Sequence, residues 1–302
     1  MISNFFKGMA MGAADIVPGV SGGTVALLTG IYERLINGIK SVGLDTLITL
    51  KEKGVKAAWI QMDGTFLISI LLGAATSILI FAQFIHLLLD NYPIPTWSCF
   101  FGLVLACVFH VGQQVNKWDA IRLILLIVGT VFVGAISMAA PTEVEITPLV
   151  LFLTGALAIC AMILPGISGS FILLLIGVYG QIIAAIKGLD VAVLSIFAAG
   201  CLVGIMAFSR VLSWVFEHYR NSLLALLTGF MIGALVKVWP WKAVLSYRLN
   251  SKGESVPFID TPIAPWNHDS PELVISIAVF LVGFVGVLWL DSRAKKQRAT
   301  NK

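Results

Sequence analysis

The strongest constraint in this chain is a stretch that it contains twice. Residues 8–40 read GMAMGAADIVPGVSGGTVALLTGIYERLINGIK, residues 155–187 read GALAICAMILPGISGSFILLLIGVYGQIIAAIK, and the two align without a gap at an offset of 147. Fourteen of thirty-three positions are identical, among them Pro18/Pro165, Gly19/Gly166, Ser21/Ser168, Gly22/Gly169, Gly30/Gly177, Tyr32/Tyr179 and Lys40/Lys187. An apolar composition repeats Leu and Gly by chance. It does not place PG-x-SG in register with a G-x-Y nine residues beyond each serine. The stretch is an internal duplication, and the fold must be built from two related halves.

Each copy is an apolar run of roughly 13 to 16 residues, a Pro-Gly-x-Ser-Gly break, and a second run of similar length. A spanning helix needs about 20 residues, so each run is short for a full crossing. Pro removes a backbone donor and Gly relaxes φ, so the break ends one helix and lets another begin. Short apolar segments interrupted by Gly and Pro at matching places in two halves point to a transporter site near the bilayer midplane. Broken backbone is tolerated at that depth only where it is buried or lines a cavity. A pair of kinked helices with packing glycines is the plainer alternative.

With 58% apolar and 12% charged residues and a mean hydropathy of +0.95, the chain is an integral membrane protein. Its net charge of +4 is no argument for nucleic acid, because Lys and Arg sit mostly at membrane flanks, where topology explains them. Cys99, Cys107, Cys160 and Cys201 lie in apolar runs without metal or redox spacing and read as buried thiols. His86, His110, His218 and His268 are scattered, so neither a metal nor a cofactor is expected. The first apolar run leads into the duplicated motif, with no cleavable-signal pattern before it.

In chain order, the first hairpin unit is 5–39, followed by a charged stretch, 40–63, that reads as an interfacial helix or loop. Crossings are expected at 64–89, 96–113 and 118–137, then a second hairpin at 149–186 and crossings at 191–216, 222–239 and 272–290. A polar segment rich in Pro, Ser and Trp spans 240–271, and the chain ends in a basic tail. A hairpin returns the chain to the side it came from, so three crossings put the second hairpin on the opposite face. The expected fold class is therefore an all-α integral membrane protein of two inverted-topology repeats, 1–147 and 148–302, each a re-entrant helical hairpin plus three transmembrane helices. With both termini in the cytoplasm, fourteen Lys and Arg fall inside and five (Lys187, Lys237, Lys242, Arg248 and Lys252) outside, the expected bias. Trp59, Trp97, Trp118, Trp239 and Trp289 fall near crossing ends, as interfacial anchors do.

Chemistry is expected at the tips. Free backbone N–H groups at the start of each second helix attract anions, and Ser21, Thr24, Ser168 and Ser170 add hydroxyl donors. Gly22, Gly23 and Gly169 permit close approach of an anionic group to the backbone. Inverted symmetry would bring the tips face to face; the serines also suit plain helix caps. Charged residues inside a membrane are costly, so Asp15, Glu33, Arg34 and Arg210 each need a partner or a use. Arg34 and Arg210 suit a phosphate, because the guanidinium fork donates two bonds at once, with an ion pair to Glu33, Asp15 or Glu217 as the alternative. Asp15 and Glu33 would balance the arginines between cycles.

GAADIVPGVSGGT followed by GIYERLI, with the echo LPGISGSFILLLIGVYG, resembles the polyprenyl-phosphate transporter family, the undecaprenyl phosphate translocases of bacterial plasma membranes. The resemblance covers nearly the whole chain. It implies a flippase that returns undecaprenyl phosphate, the lipid carrier for cell-wall sugars, from the outer to the cytoplasmic leaflet. On that basis the Ser/Gly tips and the arginines hold the phosphate while the isoprenoid chain stays in lipid. The partners implied are that lipid and the bilayer, with homo-oligomerisation left open. Two alternatives stand beside it. One is a secondary transporter of a small soluble anion. The other is an enzyme similar to the undecaprenyl pyrophosphate phosphatases, whose PG-x-S-R-S has an Arg where this chain has Gly22 and Gly169, and whose E-x-x-x-E pair is missing here.

Overall fold

The computed structural model describes residues 1–17, 20–142, 144–249 and 255–300. Pro18 and Gly19 of the first break, together with Lys252 and Lys302, lie outside the described residues. The fold is mostly helical. The first copy of the motif forms α1 (Ile2–Asp15), α2 (Gly22–Leu28) and α3 (Tyr32–Ser41). The charged stretch is a helix, α4 (Leu44–Gln61), bent at Gly54, and it leads to α5 (Gly64–Asn91), α6 (Pro93–Gly112) and α7 (Ala120–Met138). The second copy forms α8 (Pro148–Ile163), α9 (Gly169–Leu175) and α10 (Tyr179–Gly188), followed by α11 (Val191–Ala234) and finally α12 (Leu273–Thr300).

Helices α5, α6, α7 and α11 are long and apolar enough to cross a membrane, and the bent pair α9–α10 makes a fifth candidate if taken as one span. At 44 residues, α11 would be about 66 Å long, twice the hydrocarbon thickness of a bilayer. It is interrupted at Tyr219, where φ −132° and ψ 39° leave helical geometry. That break falls between the two crossings expected at 191–216 and 222–239.

The second run of each duplicated motif differs from expectation. It is two short helices, not one of similar length to the first, and α9 and α10 meet at a bend of 109°. The reason is the G-x-Y signature. Gly30 (φ 68°) and Gly177 (φ 82°) take the left-handed conformation that ends a helix. In each copy the next N–H reaches back five residues, Ile31 to the Ala26 carbonyl and Val178 to the Leu173 carbonyl, both at 3.0 Å. Both short helices turn back on the first helix of their copy. Lys7 Nζ on α1 donates to the Thr29 carbonyl at the end of α2 (3.1 Å). The Thr142 amide, shortly before α8, donates to the Leu175 carbonyl at the end of α9 (2.8 Å).

Glycine sets the helix pairing. In lipid, helices associate by close backbone approach, which small residues permit. Gly8 and Gly12 of α1 lie on the backbone of Ile70 and Ala74 in α5. Gly155 of α8 lies on Phe197, and Gly200 and Gly204 of α11 lie on Phe152 and Ala156. Gly102 of α6 meets Phe280 of α12, and Gly229 of α11 meets Leu126 of α7. Large apolar side chains such as Leu79, Val131, Leu202 and Val274 are left facing outward, as a bilayer requires.

The polar 240–271 segment contains an antiparallel strand pair, β1 (Lys242–Leu249) and β2 (Ser255–Pro262), in register from Lys242↔Pro262 with irregularities around Ser246. This addition to an otherwise helical fold is not part of the sequence expectation. The pair is tied to the helices beside it by the Trp239 and Trp241 indoles, which donate to the Ile263 and Pro271 carbonyls, each at 2.9 Å.

Candidate functional site

The two breaks meet. Ser21 caps α2, its Oγ accepting the Gly23 N–H at 3.0 Å. The same hydroxyl lies 3.1 Å from the Met162 carbonyl and 3.0 Å from the Leu164 carbonyl, at the end of α8. One hydroxyl proton is thus shared between two acceptors from the other half of the chain. Gly23 makes the approach possible, since a Cβ there would overlap the Ile163 carbonyl oxygen. Ser21 and Thr24 are almost wholly buried, at 1% exposure. The Thr24 hydroxyl has no hydrogen-bond partner among the described residues, an arrangement that costs free energy unless something fills it.

The second break is built differently. Ser168 stands at the cap position of α9 without capping it. Its Oγ instead pairs with the Ser170 Oγ at 2.9 Å, and Ser170 is exposed. Gly169 packs on the Ala158 carbonyl of α8. The asymmetry extends to Asp15, whose Oδ1 accepts the Gly22 N–H at 2.7 Å. A carboxylate therefore already occupies the backbone donor at the start of α2. The corresponding Met162 contributes only its backbone carbonyl, to Ser21.

The other charged residues foreseen from sequence, Glu33, Arg34 and Arg210, have partners elsewhere. Arg34 makes a two-pronged pair with Asp63, Nε to Oδ2 at 2.5 Å and Nη2 to Oδ1 at 3.0 Å, and lies over the Phe66 ring. Glu33 pairs with Arg220 at 2.8 Å. Arg210 donates to the Met206 carbonyl of its own helix at 2.6 Å and lies against Gly43. Among the described residues neither arginine is bonded at the tips; Arg34 is on α3, beyond the end of α2. Around Glu33 a polar network joins α3 to α11. Lys40 reaches Ser213 (3.0 Å) and Glu217 (3.4 Å), and Ser213 donates to Asn37 (2.9 Å), beside a cleft of about 60 Å³. Asp63, Arg220 and Ser213 escaped the sequence reading because they lie 29, 187 and 176 residues from their partners. No periodicity links such positions.

The profile of the undecaprenyl phosphate translocase-like family matches residues 11–256, both PG-x-SG breaks included. The chain belongs to that family. A polyprenyl-phosphate transporter of Vibrio cholerae serotype O1 is 43% identical over 300 residues, covering 98% of this chain and 97% of the relative. Another, from Staphylococcus aureus, is 31% identical over 305 residues, covering 95% of each chain. Translocase-like proteins of this kind are transporters, and the chain is not an enzyme. No solved structure matches.

Proposed function

We propose that this protein is a lipid-carrier translocase that moves undecaprenyl phosphate from the outer to the cytoplasmic leaflet of the bacterial plasma membrane, for reuse in cell-envelope synthesis. The observation that carries the substrate class is the nearly full-length likeness to two polyprenyl-phosphate transporters. The geometry supports a path. The halves, 1–147 and 148–302, are inverted repeats whose breaks form two re-entrant tips that meet within the membrane. The packing pattern agrees with this. Exchanging the halves turns the α1–α5 pair into α8 with the first part of α11, and α6–α12 into the second part of α11 with α7.

In this mechanism Ser21, Gly22, Gly23 and Thr24 face Ser168, Gly169 and Ser170 across the passage. A phosphate monoester carries about −1.5 to −2 charges near pH 7 and does not cross hydrocarbon unaccompanied. Asp15 stands in for it between cycles by accepting the Gly22 N–H. The incoming phosphate displaces that carboxylate and takes up the idle Thr24 hydroxyl. Arg34 and Arg210 receive the phosphate on the cytoplasmic side, Arg34 after release from Asp63 and with Glu33 held off by Arg220. Both termini are cytoplasmic, and the strand pair lies outside.

The test is leaflet exchange of undecaprenyl phosphate in proteoliposomes, with radiolabelled uptake of small anions in parallel. Exchange of the lipid with no anion uptake is expected. Anion uptake without lipid exchange would establish the small-anion transporter instead.

A further inference from the structure

On the face bearing the strand pair, two lysines share one carboxylate. Lys237 Nζ donates to Asp260 Oδ1 at 2.8 Å, and Lys242 Nζ lies 3.5 Å from Asp260 Oδ2. All three side chains are largely withdrawn from solvent, at 16%, 11% and 23% exposure. The Lys242 ammonium is buried, sits 3.7 Å from the centroid of the Trp97 ring, and makes no hydrogen bond among the described residues. An ammonium has three donors, and one buried with a 3.5 Å ion pair and a ring face as its contacts among the described residues is poorly compensated until a further anion completes its shell. Among the described residues, two ammonium groups share this one carboxylate. Burial pushes Lys242 down to about 8, against the pull of Asp260. Burial also pushes the Asp260 carboxyl up, but the two lysines outweigh it and hold the group below its usual range.

The surroundings connect this cluster to the passage. Lys237 lies over the Phe171 ring at 5.1 Å, and Phe171 follows Ser170 on α9. A narrow cleft of about 20 Å³ runs between Lys237, Asp260, Phe171, Leu175 and the end of α7 at Met138. It has room for about one water, so an anion larger than that must take the place of the Asp260 carboxylate. Asp260 is on β2, outside the helices.

We propose that Lys237 and Lys242 form a loading site for a phosphate monoester group on this face, with Asp260 as the placeholder that the phosphate displaces. The inference rests on the function proposed above and adds to it the place where the headgroup is first captured. The aromatic walls, Trp97 and Phe171, accommodate the first apolar units attached to the phosphate, and α9 leads from there to Ser170 and Ser168.

The experiment measures equilibrium binding of undecaprenyl phosphate in nanodiscs and of inorganic phosphate in solution. The proteins are wild type, the K237Q/K242Q double variant and D260N, with leaflet exchange measured alongside. K237Q/K242Q should weaken lipid binding about tenfold and raise the half-saturating lipid for exchange with little change in the maximal rate. D260N should tighten binding, because it frees both ammonium groups; a merely structural ion pair predicts loss or no change. Binding of the lipid but not of inorganic phosphate assigns the site to headgroups, and equal binding of both assigns it to phosphate generally. Unchanged lipid and phosphate binding in all three proteins overturns the loading site, even where exchange by the wild type upholds the transport function. If the wild type exchanges no lipid, the transport function fails, and the binding comparison still decides the site. Should the double variant fold poorly, the direction of the D260N effect decides.

Discussion

Replacing Ser21 and Ser168 by alanine, one at a time, sets the duplicated motif against the tertiary structure. The positions are equivalent in the repeat, so a reading of the motif alone expects equal effects. The structure gives them different work. In Ser21→Ala the Gly23 N–H loses its cap, worth about 1 kcal/mol. The carbonyls of Met162 and Leu164 lose a shared donor in a buried contact, about 1 kcal/mol more. The total is about 2 kcal/mol. In Ser168→Ala no cap is lost, and the one bond given up among the described residues runs to the exposed Ser170, so the cost stays below about 1 kcal/mol. The assay is reversible unfolding of both variants and wild type in the same detergent, read by helical circular dichroism against denaturant. Equal losses, or a larger loss for Ser168→Ala, would refute the argument that Ser21 bonds across the two breaks and Ser168 does not.

Two further outcomes are expected. Asp15→Asn keeps an oxygen that accepts the Gly22 N–H but removes the resident charge, so half-saturation for polyprenyl phosphate should fall several-fold; an unchanged value in exchange assays removes Asp15 as a competitor for the tip. Lys242→Met tests the buried ammonium through stability. Because the folded-state value is depressed to about 8 from 10.5, the unfolded chain binds the extra proton between those pH values, and stability should rise with pH across that window. Below pH 8 the full penalty is present, on the order of 3 kcal/mol at most, so Lys242→Met should melt higher than wild type at pH 7 and lose that advantage near pH 10.5. Thermal unfolding at the two pH values checks the sign.

Much of the fold was legible in the residues. The lengths of the apolar runs located α5, α6, α7 and α11, because burying backbone in lipid forces long uninterrupted helices. The break within α11 was visible as the charged EHYRN between two apolar stretches, and it falls at Tyr219. PG-x-SG marked the helix starts at Gly22 and Gly169, because proline and glycine act on the local backbone. The strand pair was not legible. Its pairing of residues 242–249 with 255–262 depends on which backbone groups are brought opposite one another and on tryptophans anchored to distant carbonyls. The candidate site divides in the same way. Ser21, Gly23, Thr24 and Asp15 were identified by their places in the motif. The grouping of Arg34 with Asp63, Glu33 with Arg220, and Lys237 with Lys242 and Asp260 was not.

What the sequence determined by itself is whatever follows from neighbours along the chain: membrane residence, helix ends, and the repeat of residues 8–40 at 155–187. Only the tertiary structure decided that the two copies differ in use. Ser21 reaches across to Met162 and Leu164, Ser168 stays with Ser170, and Asp15 occupies a donor that has no charged counterpart in the second half. The physical reason is range. Backbone propensities act over a few residues and repeat when the residues repeat. Hydrogen bonds and ion pairs between halves depend on which side chains the packed helices bring within about 3 Å, and that distance is set by the whole fold.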